Sequence, residues 1–405
     1  MKNFIFCVTM LCAAAAQATE WQAIGPKALA MGGAGVAVPQ GAESAYWNPA
    51  LLGLADNQSG LQVPVGAHLA ISGTVLRGAK DLNQLVKDCS NGSANCTDAN
   101  IQSALNEMND PNNGVRGDVG GGLGLKFGRF SLFATNLTYV GAKPIMDLVN
   151  NTKATINANT SKLRLSGVSV TEFGAAYGHE LPFLPGVDVG VALKGMAGRT
   201  GFEDVSVVTT DPGHGALNQF TKSTRDSVQA GVDAGLLWDV SRSFPSVWWQ
   251  PRFGLSARDI NNPQFKNTDS AIAAGLPSEI KLKSNVRGGF SISPLHFWRI
   301  ALDGDLTRNA TILDGVASRQ VGIGTEINVF NRSWLNIPLR VGLAKNTAET
   351  GARTAITGGV GLNFLHVNVD LGVQSTPATE EIQSQGKTVK FPSELAVAGQ
   401  FALLF

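Results

Sequence analysis

Charged residues recur at alternate positions of otherwise aliphatic runs. They are Asp188, Lys194, Asp233, Arg252, Arg258, Arg287, Arg299, Asp303, Asp305, Glu326, Arg340 and Asp370. Such a set allows two kinds of chemistry. Opposite charges could pair across neighbouring strands and line a polar interior, or they could edge a conduction path. Arg299 and Arg340 are expected to brace whatever fills that interior. Cys89 and Cys96 lie close together in a polar stretch, which in an oxidising compartment reads as a local disulfide. The histidines His68, His179, His214, His296 and His366 are scattered, with none at metal-ligand spacing. No GxSxG elbow, CxxC pair or GxxxxGK[ST] loop is present, so nothing argues for an enzyme, and neither a metal nor a cofactor is expected.

The elements that carry these charges have a period of two. From Leu365 to Gln374 the odd positions Val367, Val369, Leu371 and Val373 are aliphatic, and the even ones are polar or glycine. Successive strand side chains point to opposite faces, so one face is greasy and the other wet. The pattern returns in about 14 segments: 60–73, 118–128, 130–140, 163–178, 187–199, 226–240, 250–259, 284–293, 298–307, 318–329, 335–345, 354–363, 365–374 and 394–405. Connections alternate in length. Short ones fall at 128–129, 179–186, 241–249, 294–297, 330–334 and 364, and long polar ones at 74–117, 141–162, 200–225, 260–283 and 375–393. Short turns on one side and long loops on the other, with an even strand number, are the layout of an outer-membrane barrel. The expected fold is therefore an all-β, antiparallel transmembrane barrel of about 14 strands.

Aromatic residues sort the same way. Trp238, Trp248, Trp249, Trp298 and Trp334 fall at the short-turn end, with Phe127, Phe130, Phe183, Phe297, Phe330 and Phe364 near them. Amphipathic rings collect at the membrane–water boundary. The last strand ends on Phe405, a terminus similar to the signal read by the barrel-assembly machinery, which is thus an expected partner during biogenesis, as is outer-membrane lipid afterwards. The N-terminus pairs Lys2 with an apolar run to Ala16 and an Ala16-Gln17-Ala18 site, the marks of a signal peptide over 1–18. Without it, 31 basic residues face 31 acidic ones, a balance that gives no reason to expect a nucleic-acid partner.

Residues 19–59 do not alternate. They hold Met31-Gly32-Gly33-Ala34-Gly35-Val36-Ala37 and then Trp47-Asn48-Pro49-Ala50-Leu51-Leu52. This segment is expected to fold into the lumen as a plug, leaving 60–405 as the barrel. The insertion 74–117 carries Leu76, Leu82, Leu85 and Val86, then Ile101, Ala104, Leu105 and Met108, at helical spacing. It reads as a small helical hairpin on the outer side, which could cover the barrel mouth or dock a partner.

The two N-terminal stretches resemble the start of the FadL-like outer-membrane barrel superfamily, which includes PorV-like proteins. With Leu61-Gln62-Val63-Pro64-Val65-Gly66-Ala67, Pro185-Gly186-Val187 and Val191-Ala192-Leu193-Lys194, they are most similar to the conjugal-transfer TraF-like outer-membrane family. That resemblance implies a 14-stranded barrel with an N-terminal hatch, in which Asn48, Pro49 and Ala50 match the hatch motif. It further implies transport, with a hydrophobic small molecule as the superfamily's cargo, or a conjugation-associated role with a conjugation or secretion partner. A PorV-like adaptor docking a partner at the surface is the alternative.

Overall fold

The computed structural model describes residues 20–207, 220–349, 351–384 and 387–405. The expected signal peptide and His214 lie outside the described residues. Fourteen antiparallel strands form one closed barrel. In chain order they are β1 (Gly60–Ser72), β2 (Gly114–Phe127), β3 (Phe130–Ile145), β4 (Lys162–Glu180), β5 (Val187–Ser206), β6 (Thr224–Asp239) and β7 (Arg252–Arg258). The second half comprises β8 (Asn285–Leu295), β9 (Trp298–Asp305), β10 (Gln320–Asn331), β11 (Leu335–Asn346), β12 (Ala355–Phe364), β13 (Val367–Ser375) and β14 (Glu394–Leu404). Each strand pairs with its sequence neighbour, and β1 closes on β14 from Gly60↔Leu404 to Ala70↔Glu394. Closure matters because an open edge in lipid would strand a row of backbone donors and acceptors.

Period two becomes two faces. On β11, Leu339, Val341 and Leu343 are exposed outward while Arg340 and Ala344 are buried inward. Exposed aliphatics in this register around the wall form the lipid-facing belt, and no helix among the described residues is long and apolar enough to cross a membrane. At the short-turn end the aromatics touch one another across strands: Phe127 with Phe130, Phe130 with Tyr177, Trp238 with Phe253, and Trp334 with both Phe330 and Phe364.

Several boundaries move from expectation. β5 runs seven residues past Arg199, because its outer part continues to pair with β4 as far as Ser206↔Lys162. β7 is short, and residues 260–283 hold a small ribbon (Gln264–Lys266 with Glu279–Lys281) and a helical turn instead of plain loop. The segment after β1 is a helical hairpin, α3 (Val75–Ser90) and α4 (Asp98–Met108), joined by the Cys89–Cys96 disulfide. It ends at 113, earlier than the alternation suggested, since β2 begins at Gly114. Leu82, Leu85, Ile101, Ala104 and Leu105 pack on one another and on Ile156 of the next loop. Phe405 follows β14, is mostly exposed, and donates its backbone N–H to the Ser59 carbonyl.

Residues 20–59 lie within the barrel as short helical turns, including α1 (Pro26–Ala30) and α2 (Ser44–Trp47). Nearly all of this segment is buried, with Ala28, Met31, Val36, Trp47, Asn48 and Ala50 wholly so.

Candidate functional site: a luminal plug seated on two walls

The turn at Asn48 is built locally. Asn48 stands before a 3-10 turn (Pro49–Gly53), and its side-chain oxygen accepts from the Ala50 N–H at 3.0 Å. Proline suits the first position, where no amide donor is required. The Asn48 amide nitrogen donates to the carbonyls of Val36 (3.0 Å) and Leu236 (3.1 Å), tying the turn to the plug and to β6. This turn rests on three wall glycines. A Cβ at Gly178 would fall 2.4 Å from the Pro49 oxygen, at Gly190 2.2 Å from the Pro49 carbonyl carbon, and at Gly235 1.9 Å from Asn48 Oδ1. Any side chain at these sites would take the space the turn occupies.

The Met31–Gly33 turn sits on the opposite wall. Here a Cβ at Gly322 would fall 1.7 Å from the Gly32 oxygen, at Gly324 2.4 Å from Met31 Cα, and at Gly342 2.7 Å from the Gly32 nitrogen. Gly32 and Gly33 have φ of +70° and +84°, the left-handed region that favours glycine. Gly32 N–H donates to Thr357 Oγ1 (3.1 Å), which donates to the Ala30 carbonyl (2.8 Å). Asp303 accepts the N–H groups of Gly35 (2.7 Å) and Val36 (2.8 Å), and Arg287, paired to Asp305, donates to the Gly33 carbonyl at 3.4 Å.

The other inward charges fall into separate groups. Lys194 contacts Glu172, Asp233 and Asp259 at 2.9–3.1 Å, and Arg258 joins through Glu172 while lying 3.8 Å from the ring centroid of Tyr46. Arg340 holds Glu326 and Asp370, each at 2.6 Å. Asp188 is buried beside Gly53 without a hydrogen-bond partner. The expectation that Arg340 braces the plug is corrected: both its ion pairs are to the wall. Arg299 reaches plug residue Asp56 only at 3.9 Å, and the closer ion pair to Asp56 is from Arg252, at 2.9 Å. Sequence reasoning also missed Glu172, Asp259 and the closing-seam cluster, where His68 lies between Asp118 (2.7 Å) and Glu394 (3.2 Å). Asp118 and Glu394 stood at the ends of alternating segments, where a wall charge and a loop charge look alike.

Two cavities flank the plug. The outer one, about 70 Å³, is bounded by Trp21, Leu29, Gly32, Gly33, Gly322 and His68 among others. The inner one, about 530 Å³, opens among the short turns at Phe297, Trp334 and Leu365 and is edged by Lys27, Asp56, Arg299, Glu326, Arg340 and Asp370. Within the plug, burial draws the Lys27 ammonium below its ordinary pKa, against the pull of Glu326. Burial likewise pushes the Glu43 carboxyl well above the usual range.

Comparison with known proteins agrees with this architecture. The family model described as "F plasmid transfer operon, TraF, protein" matches residues 45–305. No curated protein matches the chain by sequence. Among solved structures, the chain is similar to a deltaS2 mutant of the TodX monoaromatic hydrocarbon channel (10% identity, covering 95% of this chain and 100% of that one, TM-score 0.56). It is also similar to the CymD monoaromatic hydrocarbon channel (13%, 96% and 99%, TM-score 0.50) and the Ralstonia pickettii toluene transporter TbuX (14%, 94% and 98%, TM-score 0.49). At these identities the first two likenesses establish the fold alone: a FadL-like, 14-stranded barrel of the outer membrane.

Proposed function

We propose, from the premise that this chain belongs to the F plasmid transfer operon TraF protein family, that it works as a plug-gated outer-membrane channel for small solutes. One observation carries the reading. The outer and inner cavities approach the plug from opposite ends along the same side, the β9–β14 wall, and α1 with the Met31–Gly33 turn lies between them. A path through the barrel therefore needs α1 and that turn to leave their seats together, the turn on Gly322, Gly324 and Gly342 and α1 on Gly359 and Gly372. The Asn48 turn, held on β4–β6, can stay in place.

The inner cavity is edged by charged and amide side chains, which supports a polar cargo over a hydrocarbon. Docking through the α3–α4 hairpin draws less support, because Leu82, Leu85, Ile101, Ala104 and Leu105 pack within the hairpin and on Ile156, and Val75 and Met108 pack on Ile71. None of the large hydrophobics exposed among the described residues lies in it.

The test is solute flux in proteoliposomes, comparing wild type, Asp303→Ala and a form lacking residues 20–59. Asp303→Ala removes both bonds to Gly35 and Val36, and should raise the flux of small sugars several-fold toward that of the deleted form. No flux from any of the three, with folded barrel shown by its heat-modifiable gel mobility, defeats the channel reading.

A further inference from the structure

We propose that the inner cavity is a binding site for a small organic dianion of the dicarboxylate class, held between Lys27 of the plug and Arg299 of the wall. The inference deepens the channel reading and rests on it for its meaning as a waypoint for cargo. Its ground is an imbalance of donors over acceptors. The acids at this cavity are already engaged: Glu326 and Asp370 with Arg340 at 2.6 Å each, Asp56 with Arg252 at 2.9 Å. The cations feel Glu326 through space, but neither makes an ion pair with it within 4 Å among the described residues. Lys27 Nζ donates to the Pro39 carbonyl at 3.0 Å and has no ion pair within 4 Å among the described residues. Among the described residues, Arg299 donates at 3.4 Å to Ser293 Oγ and makes its one ion pair with Asp56, at 3.9 Å. Gln40, a plug residue that also edges the cavity, has a buried amide nitrogen with no acceptor. Arg332 stands exposed at the mouth.

Two ammonium- and guanidinium-type groups with unused donors, partly withdrawn from water, favour an anion strongly, because charge-assisted bonds gain where solvent screening is weak. Lys27 and Arg299 also repel one another; Glu326 offsets part of that repulsion, and an anion between the two cations adds to the relief. One group belongs to the plug and the other to the wall, so a ligand with a carboxylate at each end suits the pair. The volume of about 530 Å³ is that of a small-molecule site.

Succinate is the probe, titrated calorimetrically into the purified full-length barrel in micelles, with choline as the control cation. The expected result is saturable succinate binding, none for choline, weakening with added salt, and a loss of about tenfold in affinity in both Lys27→Met and Arg299→Gln. Absence of saturable succinate binding, or unchanged affinity in both variants, overturns the proposal. Gel mobility checks that each variant folds, and Arg332→Gln at the exposed mouth serves as a milder third, with a loss of about threefold expected. Proteoliposome swelling separates the two readings. Flux of sugars without succinate binding sinks the anion site alone; succinate binding without flux of any solute sinks the channel alone.

Discussion

The two walls that grip the plug do so by different means. On β4–β6 the Asn48 turn is pressed backbone to backbone against Gly178, Gly190 and Gly235, and its neighbours Ala50, Leu51 and Leu54 pack with Ala37 and Leu237. On β9–β14 the Met31–Gly33 turn is also bedded on glycine, but the outer cavity borders it and the inner one reaches the adjoining α1 at Lys27. Discrete hydrogen bonds secure it: Gly32 donates to Thr357, Gly33 accepts from Arg287 of β8, and the following Gly35 and Val36 donate to Asp303. Close packing fails only when the whole surface separates, whereas a few hydrogen bonds can be exchanged for water one at a time. The first wall is thus an anchor and the second a latch.

The sharpest way to break this contrast is to place the same insult on both walls. Gly235→Val and Gly322→Val each drive a side chain into plug backbone or Asn48 itself. At Gly235 the loss should be about 3 kcal/mol in urea unfolding, with the plug becoming sensitive to protease throughout. At Gly322 the loss should be smaller and flux should rise, because only the latch is displaced. The reverse pattern of flux would exchange the roles of the two walls.

Arg340→Ala sharpens the same contrast from the wall side. It leaves Glu326 and Asp370 buried without their cation, which should cost about 2–3 kcal/mol of barrel stability, less than for a fully enclosed pair since the inner cavity admits water. Protease protection of residues 20–59 should hold, because Arg340 makes no bond to the plug. Cleavage of the plug in this variant would restore the bracing role that the geometry removes.

These walls were unevenly legible in the sequence. Strand count, pairing order and the greasy exterior follow from period two in stretches such as 335–345, since a pleated strand leaves no other arrangement for an alternating run in lipid. The inward charges were legible for the same reason. Their partners were not: Arg340 could as well have faced the plug as Glu326, because register between strands and the rotamer of a long side chain are set by the assembled barrel. The strand glycines carried the least explicit signal. Gly190, Gly235, Gly322 and Gly342 stand at alternate positions like the inward polar residues, and only the seated plug shows that each marks a place where no side chain fits.

The smallest expected effect concerns Glu43, which belongs to the plug rather than to either wall. Its carboxyl lies against Gly25, where a Cβ would fall 2.0 Å from Oε2, and Oε1 is buried without a partner. Burial, with Asp370 adding to it and Lys27 opposing, raises its pKa well above the ordinary glutamate value near 4.5. In the unfolded chain Glu43 releases its proton near that value, while in the folded plug it keeps the proton to higher pH. The unfolded state therefore gains as pH rises from the ordinary value to the raised one, and the plug loses stability across that window. Glu43→Gln keeps the shape and removes the titration. Thermal melts should show the variant close to wild type at pH 4 and more stable than wild type at pH 8. An equal offset at both values would mean that Glu43 titrates in the folded plug as it does in the unfolded chain, so that burial does not hold its proton.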